Sequence, residues 1–246
     1  MNANTPRRHF ASAEAIGKVK SVQPTTVGQQ ATPVVRIQLD LGGEQSVTVS
    51  FWGAAGASVQ NVAVGAVMRA WGRLAQWGQR PRVSIDVRAD SVSGYSLLTD
   101  AVGSHCGWTI RGRLEGVATD PSQPNEALAA IAVIIPAAER EGRIYPERRT
   151  EYTVTCPAHI AAGLSALRPG TEVEIRGTIE EQLAPNGYGR VTRTTRLVAT
   201  EVASPALPTA QATAPAAEQP RQQVAQPTDT KVVPLAKQQR TAAVPF

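Results

Sequence analysis

Cysteine, histidine and aromatic residues are all scarce in this 246-residue chain, and each shortage excludes something. The two cysteines, Cys106 and Cys156, make no CxxC pair and no metal-ligand spacing. A disulfide scaffold and a structural zinc site are therefore not expected, and a reducing, cytoplasmic setting is. The three histidines, His9, His105 and His159, form no HxxxH, and the chain has no GK[ST] phosphate loop and no G-x-S-x-G elbow. Asp40, Asp86 and Asp90 are scattered at strand spacing and read as solvated. No constellation for catalysis emerges, so a non-enzymatic protein without metal or cofactor is expected. No apolar run approaches the ~18 residues of a membrane span, and the first residues lack the apolar stretch of a signal peptide.

What charge there is leans basic. The formal net charge is +5, a mild bias towards a polyanionic partner. Residues 204–246 are rich in Pro, Ala, Gln and Thr and have no apolar periodicity. Such a segment cannot bury enough surface to offset chain entropy, so a disordered tail is expected there, and a flexible start over 1–12.

Between these ends lie short alternating segments. "SVTVSF" puts Val47, Val49 and Phe51 on one face, and "VVRIQLDL" does the same with Val35, Ile37, Leu39 and Leu41. This is the pattern of half-buried antiparallel strands. The chain then repeats itself: "IGKVKSV" is echoed by "RGRLEGV", "VGAVMRAWGRL" by "RPGTEVEIRGTI" and "VRADSV" by "LVATEV". Each copy reads as three strands, a short helix and two strands. A long period seen twice is a tandem domain duplication. Five strands with a helix between the third and fourth is the order of the OB-fold, a small Greek-key barrel. Gly17, Gly72, Gly112 and Gly177 fall mid-strand, where such a barrel bends sharply. The expected fold is all-β: two tandem five-stranded OB-fold barrels over 13–95 and 107–203, joined by a linker over 96–106.

Aromatic residues make up only 4% of the chain, yet three of its four tryptophans fall within residues 51–77. In "VMRAWGRL" the parity of Met68, Ala70, Gly72 and Leu74 is inward, leaving Arg69, Trp71 and Arg73 outward. Trp52 ends the third strand on the outward parity, and Trp77 opens the loop between the fourth and fifth strands. A core would not accept unpaired arginines. A face mixing indoles with guanidiniums suits stacking of unpaired bases, with cations on the phosphates. Lys18, Lys20, Arg36, Arg82 and Arg88 lie on or near the same parity. Trp71 has a second possible place, packed under a loop or against the second barrel. In the second copy Arg176 replaces Trp71, Glu174 replaces Arg69 and Pro157 replaces Trp52, with Glu174, Thr178 and Glu180 expected outward. Residues 14–94 carry net +3 and residues 107–203 net −1, so the first barrel is expected to dominate binding. Trp108 alternates with Ile110 and Leu114 and reads as core.

The stretch "VTVSFWGAAGASVQNVAVGAVMRAWGRL" resembles the bacterial single-stranded DNA-binding protein family. In that family a third strand ends in an aromatic–Gly pair, here Trp52-Gly53. A short helical segment, a turn glycine (Gly65) and a strand with a central glycine (Gly72) follow. The resemblance implies base stacking on Trp52. It also implies a second tryptophan beyond Gly72, for which Trp77 is the nearest match, about two residues early. It covers residues 14–94 well and 107–203 weakly. It further implies a non-catalytic, nucleoid-associated role in replication, recombination or repair, with single-stranded DNA as partner. Four barrels per functional unit imply a homodimer. The family tail ends in Pro-Phe, as here at Pro245-Phe246, which implies recruitment of replication and repair proteins, although the acidic residues of the family tip are absent. A protein-interaction adaptor and a single-stranded RNA binder remain open alternatives.

Overall fold

A computed structural model describes residues 8–203, except 30, 44, 78–81, 100–102, 120–122, 124, 141–142 and 186–190; among the described residues the side chains of 77, 82, 140, 143, 182–185 and 191–193 are also not described. Pro245 and Phe246, and the whole tail beyond 203, lie outside it.

The alternating segments are strands. The first group is β1 (Phe10–Val27), β2 (Thr32–Gly42), β3 (Gln45–Trp52), the short helix α1 (Ala54–Val59), β4 (Val67–Trp77), β5 (Arg82–Val87) and β6 (Gly94–Leu98). The second is β7 (His105–Thr119), β8 (Glu126–Ile135), β9 (Ala138–Arg140), β10 (Arg143–Tyr145), β11 (Arg148–Pro157), α2 (Ala158–Ser165), β12 (Glu172–Pro185) and β13 (Val191–Ala203). Pairing closes twice. In the first ring β1 pairs with β2, β2 with β3, β3 in parallel with β5, β5 with β4, and β4 with β1. The second ring repeats this with β7, β8, β11, β13 and β12. The parity expected from sequence sets the interior: Val35, Ile37, Leu39, Val47, Val49, Phe51, Met68, Ala70 and Leu74 are buried. In α2, Ile160 and Leu164 turn onto the second ring's core.

The bend glycines act as the barrel geometry requires. A Cβ on Gly17 would lie 2.5 Å from the carbonyl oxygen of Asp40, and one on Gly112 would lie 2.4 Å from that of Ala132. Both distances are well inside van der Waals contact with backbone that cannot move aside. Each glycine precedes a bulge, at Val19/Ser21 in one ring and Leu114/Gly116 in the other, where the strand coils over itself.

The rings are joined edge to edge and clasped. β1 pairs antiparallel with β7 from Phe10↔Arg111 to Ile16↔His105, making one continuous sheet. Four residues past the fourth-strand glycines Gly72 and Gly177, Gln76 and Glu181 each reach the other ring. Gln76 exchanges two hydrogen bonds with the Thr153 backbone, accepting from its N–H at 2.9 Å and donating to its carbonyl at 3.3 Å. Glu181 accepts from the Ser46 hydroxyl at 3.3 Å. The buried Tyr152 hydroxyl donates to the Leu74 carbonyl at 2.8 Å, and Thr195 accepts the Val83 N–H at 2.8 Å. His9 bridges as well, accepting the Ile134 N–H at Nδ1 and facing Glu172 at Nε2. Both rings fall within one compact unit, Met1–Leu207.

Two expectations are corrected. The span 96–106 is not a plain linker: β6 runs to Leu98 and β7 starts at His105. β6 adds a sixth strand along β4, because "GYSLL" can place Gly94 under Trp71 and pack Tyr95 edge-on to Phe51 at 5.5 Å. Glu174 is not outward but only 8% exposed, held by Arg111 and Arg176.

Candidate nucleic-acid interface

The tryptophan–arginine residues separate into three neighbourhoods. The first is the outer face of β2, β3 and β5. The register sets Trp52 opposite Val34 on that face, where directly opposed side chains touch. Val34 is buried although its parity is outward, and the half-buried indole is the large group beside it. Arg88 lies over the Trp52 ring at 5.3 Å, within cation–π range. The loop after β5 holds it there. Ser93 Oγ accepts the Arg88 N–H at 3.0 Å and donates to Asp90 at 2.6 Å, and Asp90 in turn pairs with Arg73 at 3.0 Å. Arg36 is exposed, opposite Ser50 and diagonal to Trp52. Among the described residues it has no carboxylate partner.

Asp86 lies under this patch. Burial pushes its carboxyl above the usual carboxylate range, against the Ser84 hydroxyl, the Trp52 indole and the Arg88 and Arg73 charges, which pull it down. The Trp52 Nε1 is shielded from solvent and near that carboxylate, but outside good hydrogen-bond geometry. The patch is therefore a flat apolar ring flanked by two guanidiniums over one half-buried carboxyl group.

The second neighbourhood is the seam between the rings, where β4, β1, β7 and β12 run side by side. A cleft of about 680 Å³ opens there, with Trp71, Arg69, Glu14, Trp108 and Arg176 on its walls. Trp71 is half-buried and Arg69 lies over it at 5.6 Å. The Trp71 indole lies on Gly94 of its own ring, and Trp108 and Arg176 of the second ring share the cleft with it. The cations here are neutralised: Arg69 by Glu14 at 2.8 Å, Arg176 by Glu174 at 3.0 Å and Glu201 at 3.5 Å. Burial alone would raise the Glu174 carboxyl, but Arg111 and Arg176 outweigh it and hold it below the usual range. Trp108 is core as expected, 3% exposed, with Nε1 donating to the Thr178 carbonyl at 2.7 Å.

The third is the β4–β5 hairpin. Trp77 and Arg82 are register partners at the end of β5 opposite Arg88, so about 20 Å of strand separates them from the Trp52 patch. Their side chains are not described. Lys18 and Lys20 are exposed on β1, but the register carries Trp52 through Val34 to Thr25. Lys18 thus lies roughly 20 Å along the strand from that level. Sequence reasoning missed the Arg111–Phe10 stack at 5.5 Å and the burial of Glu174. Arg111 meets Glu174 as its register partner on β12 and Phe10 as its register partner on β1, pairings made only when the strands close.

Closed five-stranded rings with a helix between the third and fourth strands define an OB-fold architecture. Solved structures of similar fold include two of one protein from a thermophile. The chain is similar to the crystal structure of the wild-type single-stranded DNA-binding protein from Thermus aquaticus, with a TM-score of 0.54 and 16% identity over 84% of this chain and 98% of that one. A deletion variant of the same Thermus protein gives a TM-score of 0.52 and 14% identity over 80% and 95%. At such identity the likeness is one of fold. No family model and no curated protein sequence matches the chain.

Proposed function

We propose that this chain is a non-catalytic single-stranded DNA-binding protein that takes bases on Trp52 and phosphates on Arg88 and Arg36. The observation that carries this reading is the Trp52 patch: an accessible indole, an arginine poised over it and a second arginine beside it, on the β2–β3 face that OB-folds use for oligonucleotides. Stacking accepts any base, so little sequence preference is expected. The fold shared with the Thermus protein supports the reading. Trp77 and Arg82 would extend the path along the β4–β5 hairpin, and Lys18 and Lys20 would meet phosphates on β1. Trp71 at the seam, and Arg69 and Arg73, neutralised by Glu14 and Asp90, would contribute less.

Beyond the site, we propose a cytoplasmic, nucleoid-associated homodimer acting in replication, recombination or repair, with Pro245-Phe246 recruiting partner proteins. Sedimentation of the full chain tests the dimer, and deletion of residues 244–246 tests recruitment. Quenching of tryptophan fluorescence by poly-dT, compared with poly-rU and duplex DNA, tests the binding reading. Preference for poly-rU would make the ligand RNA, and absence of quenching with all three would favour a protein-interaction adaptor.

A further inference from the structure

The second ring lacks the first ring's binding apparatus. Pro157 occupies the position of Trp52, Leu128 that of Arg36, and the net charge is slightly negative. It has instead something the first ring does not. Where β2 and β3 are joined by a tight turn, β8 and β11 are separated by a two-stranded ribbon, β9 and β10, which forms a sheet of its own. Residues 144–149 at its exit are all exposed, with Ile144 81% and Tyr145 50% accessible. A tyrosine so placed is not core.

Its neighbourhood adds a cation. Several arginines of the second ring are neutralised: Arg149 by Glu115 and Glu151, Arg196 by Glu126 and Glu180, and Arg111 by Glu174. Arg148 is exposed, and among the described residues it makes no ion pair or hydrogen bond. It follows Tyr145 by three residues, across the stiff Pro146. An accessible aromatic ring at the end of the ribbon and an unpaired guanidinium at the start of β11 match the two chemical halves of a nucleotide.

We infer that the exit of the β9–β10 ribbon into β11 is a second single-strand contact, with Tyr145 as the stacking surface and Arg148 as the phosphate ligand. A long strand then crosses from the Trp52 patch to the second ring despite that ring's missing tryptophan. This rests on the strand-binding reading proposed above. A protein-docking role, using Ile144, is the competing use of the ribbon.

The test uses the full chain and two oligo-dT probes, one of about 30 nucleotides and one of about 8, chosen to span two barrels or one. Tyr145→Ala should weaken the long probe about fivefold or more and leave the short probe unchanged. Arg148→Gln should reduce the slope of log affinity against log salt by about 0.7, one single-strand phosphate contact. Tyr145→Trp should keep wild-type affinity and add a quenching signal that only the long probe evokes. Tyr145→Ala and Arg148→Gln variants with wild-type affinity and slope on the long probe, where the wild type binds, would overturn the ribbon contact and leave strand binding intact. A wild-type chain that binds neither probe would overturn both.

Discussion

Replacing Trp52 by alanine separates a binding role from a packing role, because the structure sets different magnitudes for each. The indole is half-buried, beside Val34 and under Arg88 at 5.3 Å. Truncating a fully buried tryptophan costs about 3–5 kcal/mol. A half-buried one on an outer face should cost about 2 kcal/mol, including roughly 0.5–1 kcal/mol for the lost cation–π contact. Binding should fall by about 1–3 kcal/mol, the range for one stacked base, or about five- to 150-fold. Urea unfolding reads the first quantity, and fluorescence anisotropy of a labelled oligo-dT reads the second on the same folded variant. Arg88→Gln should be non-additive with Trp52→Ala in affinity, since the two groups form one surface. A folded Trp52→Ala protein with wild-type affinity would refute the assignment of Trp52 as a stacking platform. A stability loss near 5 kcal/mol would show that the indole belongs to the core.

Other perturbations probe the frame around that patch. Gly112→Ala should destabilise by about 2–4 kcal/mol in chemical unfolding, because its Cβ would meet the Ala132 carbonyl oxygen at 2.4 Å. Tyr152→Phe should cost about 1–3 kcal/mol by removing the clasp to Leu74; burial pushes the phenol up to about 12, so the bond persists across the usable pH range. Both thiols should resist a disulfide reagent in the folded protein and react once it unfolds, since burial pushes Cys106 up to about 12 and Cys156 up to about 11. Asp86 has a raised folded pKa, so its charge disfavours the native state at neutral pH and that penalty is relieved as pH falls through the raised value. Asp86→Asn should therefore be neutral or stabilising at pH 7, tighten strand binding by about 1 kcal/mol or less, and flatten the pH dependence of affinity above the ordinary carboxylate range.

Alternation and repetition are properties of local sequence, and they carried far. The inward sets of β2, β3 and β4 and the core place of Trp108 follow from parity, and the helix α1 from its place after the third strand. The mid-strand glycines pointed to tightly coiled strands, and the carbonyls of Asp40 and Ala132 occupy the space they leave. What parity cannot tell is which outward face meets another ring. Trp71 and Trp52 share outward parity, yet one lines a seam created by β1–β7 pairing and the other lies on an open face. Nor does a charge count reveal partners distant in sequence. Arg69 and Arg73 read as exposed cations, but Glu14 and Asp90 reach them only when the strands close. The strand β6 escaped notice because "GYSLL" is short and its role depends on Trp71 and Phe51, residues that precede it by more than twenty positions.

Strand binding at the Trp52 patch is tested most directly by titrating the full chain with single-stranded DNA, with duplex as control, at several salt concentrations. The expected result is quenched tryptophan fluorescence and an affinity that falls with salt at about 0.7 per phosphate engaged. Trp52→Ala should lower the affinity at every salt concentration without changing that slope. Equal binding of duplex and single strand, or single-strand binding indifferent to both salt and Trp52, would contradict it.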